Sequence, residues 1–91
     1  MKVEVFGRGN CAVCQSTKRK LAHFIDKWGY IDRVDLVNID MDTVDGMAEG
    51  AFRDVGEIPT TIISDGQKDV ARWEGAPPPS DEIREILGRC L

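Results

Sequence analysis

The chain has 91 residues, enough for one domain and too few for two, so residues 1–91 are read as a single unit burying only roughly 60–65% of its unfolded surface. Its composition, 42% hydrophobic and 31% charged, is that of an ordinary globule and far from the disordered regime. A formal charge of −4 with no basic run beyond Lys18-Arg19-Lys20 argues against nucleic acid as the main partner, and no apolar run of roughly 18 residues or charged-then-apolar leader predicts a membrane span or secretory signal.

Lys2-Val3-Glu4-Val5-Phe6 alternates polar and apolar residues, and Gly7-Arg8-Gly9-Asn10 interrupts it with turn formers, so a strand running into a tight loop is expected. Cys11 then opens a helix. Cys14, Leu21, Ile25 and Trp28, with Phe24 beside them, have the spacing of one buried helical face, and Gly29 supplies a stop. Val34 to Ile39 reads as an interior strand, β-branched and mostly apolar. Asp40-Met41-Asp42-Thr43 offers loop and cap residues for a shorter helix through about Arg53, which Gly46 and Gly50 are expected to weaken.

Ile58-Pro59 leads into Thr60-Thr61-Ile62-Ile63, a strand with proline at its first residue, where the missing N–H does least harm. Asp65-Gly66 signals a hairpin turn, with Val70 to Trp73 as the returning strand. Gly75-Ala76-Pro77-Pro78-Pro79 is a stiff connector, after which Ser80 is expected to cap a last helix carrying Ile83, Ile86 and Leu87. The order is β-α-β-α-β-β-α. A strand-helix-strand start implies a parallel crossover and the hairpin an antiparallel pair, so the fold class is α/β with a four-stranded mixed sheet flanked by helices.

Cys11-Ala12-Val13-Cys14 stands between the first strand and the first long helix, where a lone pair at this spacing reads as a redox-active dithiol. Zinc sites share the spacing but need further ligands. His23, nine residues past Cys14, falls on the opposite helix face roughly 13 Å along the axis, so no metal site is expected within one chain. Asp40, Asp42 and Asp45 lack the glycine and distal glutamate of a calcium loop and read as caps and loop residues. With three cysteines in all, a disulfide-stapled secreted domain is disfavoured; the cytoplasm is the default location and Cys90 reads as a free thiol. A cysteine at a helix N-terminus has its thiolate stabilised by free N–H groups, which makes Cys11 the nucleophile candidate, with Arg8 and Lys18 as nearby positive charge. Cys14, about one turn on, lies on the apolar face.

The element order, Cys11 to Cys14, Ile58-Pro59-Thr60 and the hairpin ending at Trp73-Glu74-Gly75 together resemble the thioredoxin-fold family, its small glutaredoxin-like members in particular. The resemblance covers essentially the whole chain and implies a monomeric thiol–disulfide oxidoreductase. In it Cys11 attacks, Cys14 resolves and Pro59 is a cis-proline facing the pair, while the backbone at Ile58 holds substrate peptide or glutathione. Ile58, Pro59, Thr60 and Arg8 are thus the substrate-binding candidates. No metal or organic cofactor is implied beyond glutathione as a reductant. The implied partners are a disulfide-containing protein or glutathione, with a reductase as electron donor.

The chain also departs from both subfamilies. Ala12-Val13 replaces the Pro-Tyr of common glutaredoxins and the Gly-Pro of thioredoxins, Val5 stands where thioredoxins bury an acid beneath their cysteines, and the Gly-Gly-x-Asp glutathione clamp is not evident after Gly75. Two other readings of the pair stay open, a partner-binding module without turnover and a metal site bridged between subunits.

Overall fold

A computed structural model describes residues 1–91. Its elements follow in the order β1 (Lys2–Gly7), α1 (Ala12–Lys27), β2 (Asp35–Asp40), α2 (Val44–Phe52), β3 (Thr60–Asp65), β4 (Lys68–Glu74) and α3 (Ser80–Cys90). One four-stranded sheet runs in the order β2-β1-β3-β4, with β1 parallel to β2 and antiparallel to β3, and β4 antiparallel to β3. The expected order and mixed sheet are both present.

Strand alternation sends side chains to two separate cores. Val3 and Val5 of β1 and Ile63 of β3 face one side, where Leu21 and Ile25 of α1 and Ile83 and Leu87 of α3 cover them. Phe6 and Ile62 face the other side and meet Met41, with Ile39, Val55 and Ile58 around them. Each such side chain fully removed from water stabilises the fold by about 1.5–3 kcal/mol before entropy is counted. Helix α1 ends as expected at Gly29, whose φ of 77° lets Tyr30 N–H reach the Ile25 carbonyl and Gly29 N–H that of Asp26.

Three local expectations are corrected. The second strand is an edge strand, not an interior one; half of its residues are exposed, because only β1 pairs with it. Ser80 does not cap α3: it is the first helical residue, behind Pro79, and makes no capping bond. Pro59 lies just before the third strand rather than at its first residue. Glu4, polar in an alternating strand, is buried because Arg53 at the end of α2 lies over it, donating to Glu4 at 2.6 Å and to Asp69 at 2.8 Å.

The glycines of α2 also differ from their reading. Gly46 and Gly50 form the side of the helix turned inward, whereas Val44 and Phe52 point to solvent with 77% and 82% exposure. A methyl group on Gly46 would overlap the Asp40 carbonyl oxygen, and one on Gly50 would press on the Met41 thioether. These residues bring the helix close to the end of β2; their propensity cost is offset by that packing.

Candidate active site

The loop Arg8-Gly9-Asn10 carries β1 into α1 at the C-terminal end of the parallel strand pair, and the cysteines sit where the helix begins. Cys11 is the N-cap of α1: its backbone is extended (φ −101°, ψ 105°) and its sulfur accepts the Cys14 backbone N–H at 3.1 Å. The first turn of this 16-residue helix contains no acidic residue to offset the positive end of its dipole. That geometry favours an anionic sulfur at Cys11.

Cys11 and Cys14 are joined as a disulfide with their Cα atoms 5.2 Å apart. The two sulfurs differ in access, since Cys11 is half-buried while Cys14 is fully sealed. Cys14 packs directly on Gly7, where an added Cβ would stand 2.8 Å from its Cβ and 3.0 Å from its sulfur. The last residue of β1, by lacking a side chain, therefore makes room for the inner cysteine. Cys90, the remaining thiol, is free and half-buried near the end of α3.

The β1–β3 register ends at the Phe6–Thr60 pair, so Pro59 falls across from Gly7, at the end of the sheet that carries the cysteines. The Ile58–Pro59 peptide bond is cis. The Pro59 carbonyl accepts the Gly75 N–H at 2.9 Å, while the N–H and C=O of Ile58 enter no backbone hydrogen bond. Ile58 thus offers one free donor and one free acceptor, the pair an extended peptide needs to add itself as a short strand.

Two of the candidate substrate contacts have partners within the chain. The Thr60 side chain is fully buried on the Phe6 side of the sheet and donates its hydroxyl to the Glu57 carbonyl at 2.6 Å, so it presents nothing to a substrate. The Arg8 guanidinium does not serve as free charge beside Cys11; it is held by Asp42 at 2.8 Å.

Asp42, a loop acid by its sequence setting, is part of the site. Its second oxygen accepts the Gly9 N–H at 3.2 Å, while the Arg8 carbonyl accepts both Cys11 N–H and Gln15 Nε2. The loop that delivers Cys11 is therefore tied to the β2–α2 turn from one side and to α1 from the other. The hydrogen bond from Arg8, aided by the Gly9 N–H and the Arg8 charge, holds the Asp42 carboxyl below its ordinary value of 3.8.

A lowered folded-state value means the pair's contribution is present above the unfolded value and is lost as pH falls through the folded one. Urea midpoints followed from pH about 5 down to about 2 should therefore fall more steeply in the wild type than in Asp42→Asn. Parallel curves would show that the ion pair does not bear on stability.

No group of three or more His, Cys, Asp or Glu side chains comes together, and His23 is exposed on the outer side of α1 against Phe24. No helix is long and apolar enough to cross a membrane.

No protein-family model and no curated protein matches the chain. Among solved structures it is similar to thioredoxin 1 of Thermosipho africanus TCF52B, with a TM-score of 0.79 and 24% identity over 100% of this chain and 94% of that one. Fasciola hepatica thioredoxin follows at 0.74 and 23%, covering 97% and 78%. Thioredoxin O2 of Arabidopsis thaliana, in its oxidised state, superimposes at 0.76 and 16%, covering 97% and 72%. The chain has the thioredoxin fold.

Proposed function

We propose that the protein is a thiol–disulfide oxidoreductase. The observation that carries this reading is the unequal placement of the two sulfurs: Cys11 is open to a substrate and capped by a backbone N–H, while Cys14 is sealed behind it within bonding reach. The Cys11 thiolate attacks one sulfur of a substrate disulfide, that S–S bond breaks, and the other substrate sulfur leaves with the electron pair. Cys14, deprotonated, then attacks the Cys11 sulfur, which expels the second substrate thiol and closes the internal disulfide. Two electrons pass from the dithiol to the substrate.

Thiolate stabilisation at Cys11 serves this cycle at both ends. It supplies the nucleophile and makes Cys11 a better leaving group when the internal disulfide is reduced. The unpaired backbone at Ile58 supports the reading, since it offers a substrate segment an edge beside the sulfurs. The fold, shared with thioredoxins of known structure, supports it further.

In this proposal the protein works as a monomer in a reducing compartment such as the cytoplasm. It acts on a disulfide-bearing protein or on glutathione, and needs no bound metal or organic cofactor. Electrons come from glutathione or from a reductase of the thioredoxin-reductase type.

Equilibration in graded glutathione buffers, with both donors tested in turn, checks the reading and fixes the subtype. A reversible Cys11–Cys14 couple is expected, at about −200 to −230 mV for glutaredoxin-like behaviour or about −270 mV for thioredoxin-like behaviour. Absence of any thiol–disulfide equilibrium would leave a binding module in its place.

A further inference from the structure

The Thr61 hydroxyl is the only buried side-chain oxygen or nitrogen without a hydrogen-bond partner. An unpaired hydroxyl in a sealed, apolar setting is costly, and its position suggests what it is for. Thr61 pairs with Val5 across the β1–β3 ladder, so its side chain lies on the same face of the sheet as Val5 and, two residues on, Gly7. Cys14 occupies the space where Gly7 would carry a side chain. Thr61 is the diagonal cross-strand neighbour of Gly7, residues so placed standing about 7–8 Å apart, and the Cys14 sulfur lies 3.0 Å from where a Gly7 Cβ would be.

Cys14 needs a donor that the rest of the site does not supply. To resolve a mixed disulfide its sulfur must carry negative charge, yet the N–H at the helix start is aimed at Cys11. The buried residues beneath it, Val3, Val5, Leu21, Ile25 and Ile63, are apolar. Thr17, one turn along α1, spends its hydroxyl on the Val13 carbonyl at 2.7 Å. Of the charged groups around the site, Arg8 and Asp42 neutralise each other on the exposed loop, Lys18 lies half-buried on α1, and Lys20 is bound to the Pro78 carbonyl. On the β4 side Thr61 faces Trp73, whose indole N–H goes to Glu82.

We propose, on the reading of Cys14 as the resolving thiol, that Thr61 is a positioning residue for the second step. It donates a hydrogen bond to the Cys14 sulfur, directly or through one buried water, while that sulfur is anionic. As the Cys14–Cys11 bond forms and the Cys11–substrate bond breaks, the electron pair leaves on the substrate sulfur. The proton given up by Cys14 ends there, and Thr61 keeps its own. In the disulfide state the hydroxyl has no anion to serve.

Thr61→Val keeps the shape and removes the donor. In a Cys90→Ser background, which removes the third thiol, mixing reduced protein with dithiobis(nitrobenzoate) in a stopped-flow instrument separates the two steps, because the first nitrothiobenzoate released reports Cys11 attack and the second reports Cys14. The variant should slow the second release by about tenfold at neutral pH, the scale of a hydrogen bond to a charged group, and move its pH profile upward. The first release should be unchanged, Thr61→Ser should restore the second, and the melting temperature of Thr61→Val should equal or exceed the wild type's, an unpaired group having been removed.

A second phase with wild-type rate and pH profile in Thr61→Val would overturn the assignment. So would equal slowing of both phases together with a lowered melting temperature, the mark of a structural defect. A wild-type protein that releases no second equivalent would overturn both this role and the oxidoreductase reading beneath it.

Discussion

Replacing Cys14 by serine should convert the protein into a trap, accumulating one equivalent of substrate bound through Cys11 and released by dithiothreitol. The asymmetry of the site requires it. Cys11 keeps its place at the N-cap, its hydrogen bond from the backbone of residue 14 and its access to substrate, so the first exchange proceeds. Serine cannot carry the second, because its hydroxyl is far too weak an acid to supply the anion at neutral pH. Turnover should fall to the uncatalysed background while the rate of the first step is retained.

The reciprocal variant should behave differently. In Cys11→Ser the remaining thiol is Cys14, which has no exposed surface and receives no cap hydrogen bond, so neither turnover nor trapping is expected. Non-reducing mass spectrometry of both variants, after incubation with a disulfide substrate, reads the outcome directly. Equal adduct formation through Cys14 in Cys11→Ser would reverse the assignment of attacking and resolving sulfurs. Cys90 is a half-buried thiol that could form adducts of its own, so the comparison is made in a Cys90→Ser background.

What the sequence disclosed and what it concealed divide along a physical line. Local chemistry was legible: the turn formers after Phe6, the stop at Gly29, the Asp65-Gly66 hairpin and the cysteine pair at a helix start each act through neighbours in the chain. What depended on partners distant in sequence was not. The edge position of β2 follows from pairing order, which hydrophobic content does not report. Glu4 is buried only because Arg53, 49 residues away, lies over it.

The same division runs through the site. Arg8 could be recognised as a charge near Cys11, but its partner Asp42 lies 34 residues on, and that pairing makes it an anchor for the loop. Thr60 reads as exposed beside a recognition proline until strand alternation sends it inward to Glu57. Thr61 differs from Thr60 only by one step along β3, yet that step places its hydroxyl on the cysteine side of the sheet. A polar residue at a position whose cross-strand partner is Val5 was the available signal.

Gly46 carries the largest expected effect on stability, and the reason again lies across the chain rather than within its helix. By helix propensity alone Gly46→Ala would be favourable by about 1 kcal/mol. Against that stands the Asp40 carbonyl oxygen, which an added Cβ would overlap. This oxygen is backbone, fixed at the end of β2 and also accepting from Thr43 N–H and the Thr43 hydroxyl, so it cannot move aside without undoing the turn. Relief requires the start of α2 to lift from the sheet, which disturbs the cap between Thr43 and Gly46 N–H as well.

Overpacking of this kind costs about 3 kcal/mol at the upper end of the usual range, a large share of the roughly 5–14 kcal/mol expected for a chain of this length. The melting temperature of Gly46→Ala should accordingly drop by about 15 °C. Gly50 supplies the control, since the group it would meet is the end of the flexible Met41 side chain, which can turn away. Gly50→Ala should therefore change stability by no more than about 1 kcal/mol in either direction. The lifting of α2 should also reach the redox loop, because Asp42 in the turn before the helix holds Arg8 and Gly9. A Gly46→Ala protein as stable as the wild type would show that α2 does not rest on the Asp40 carbonyl.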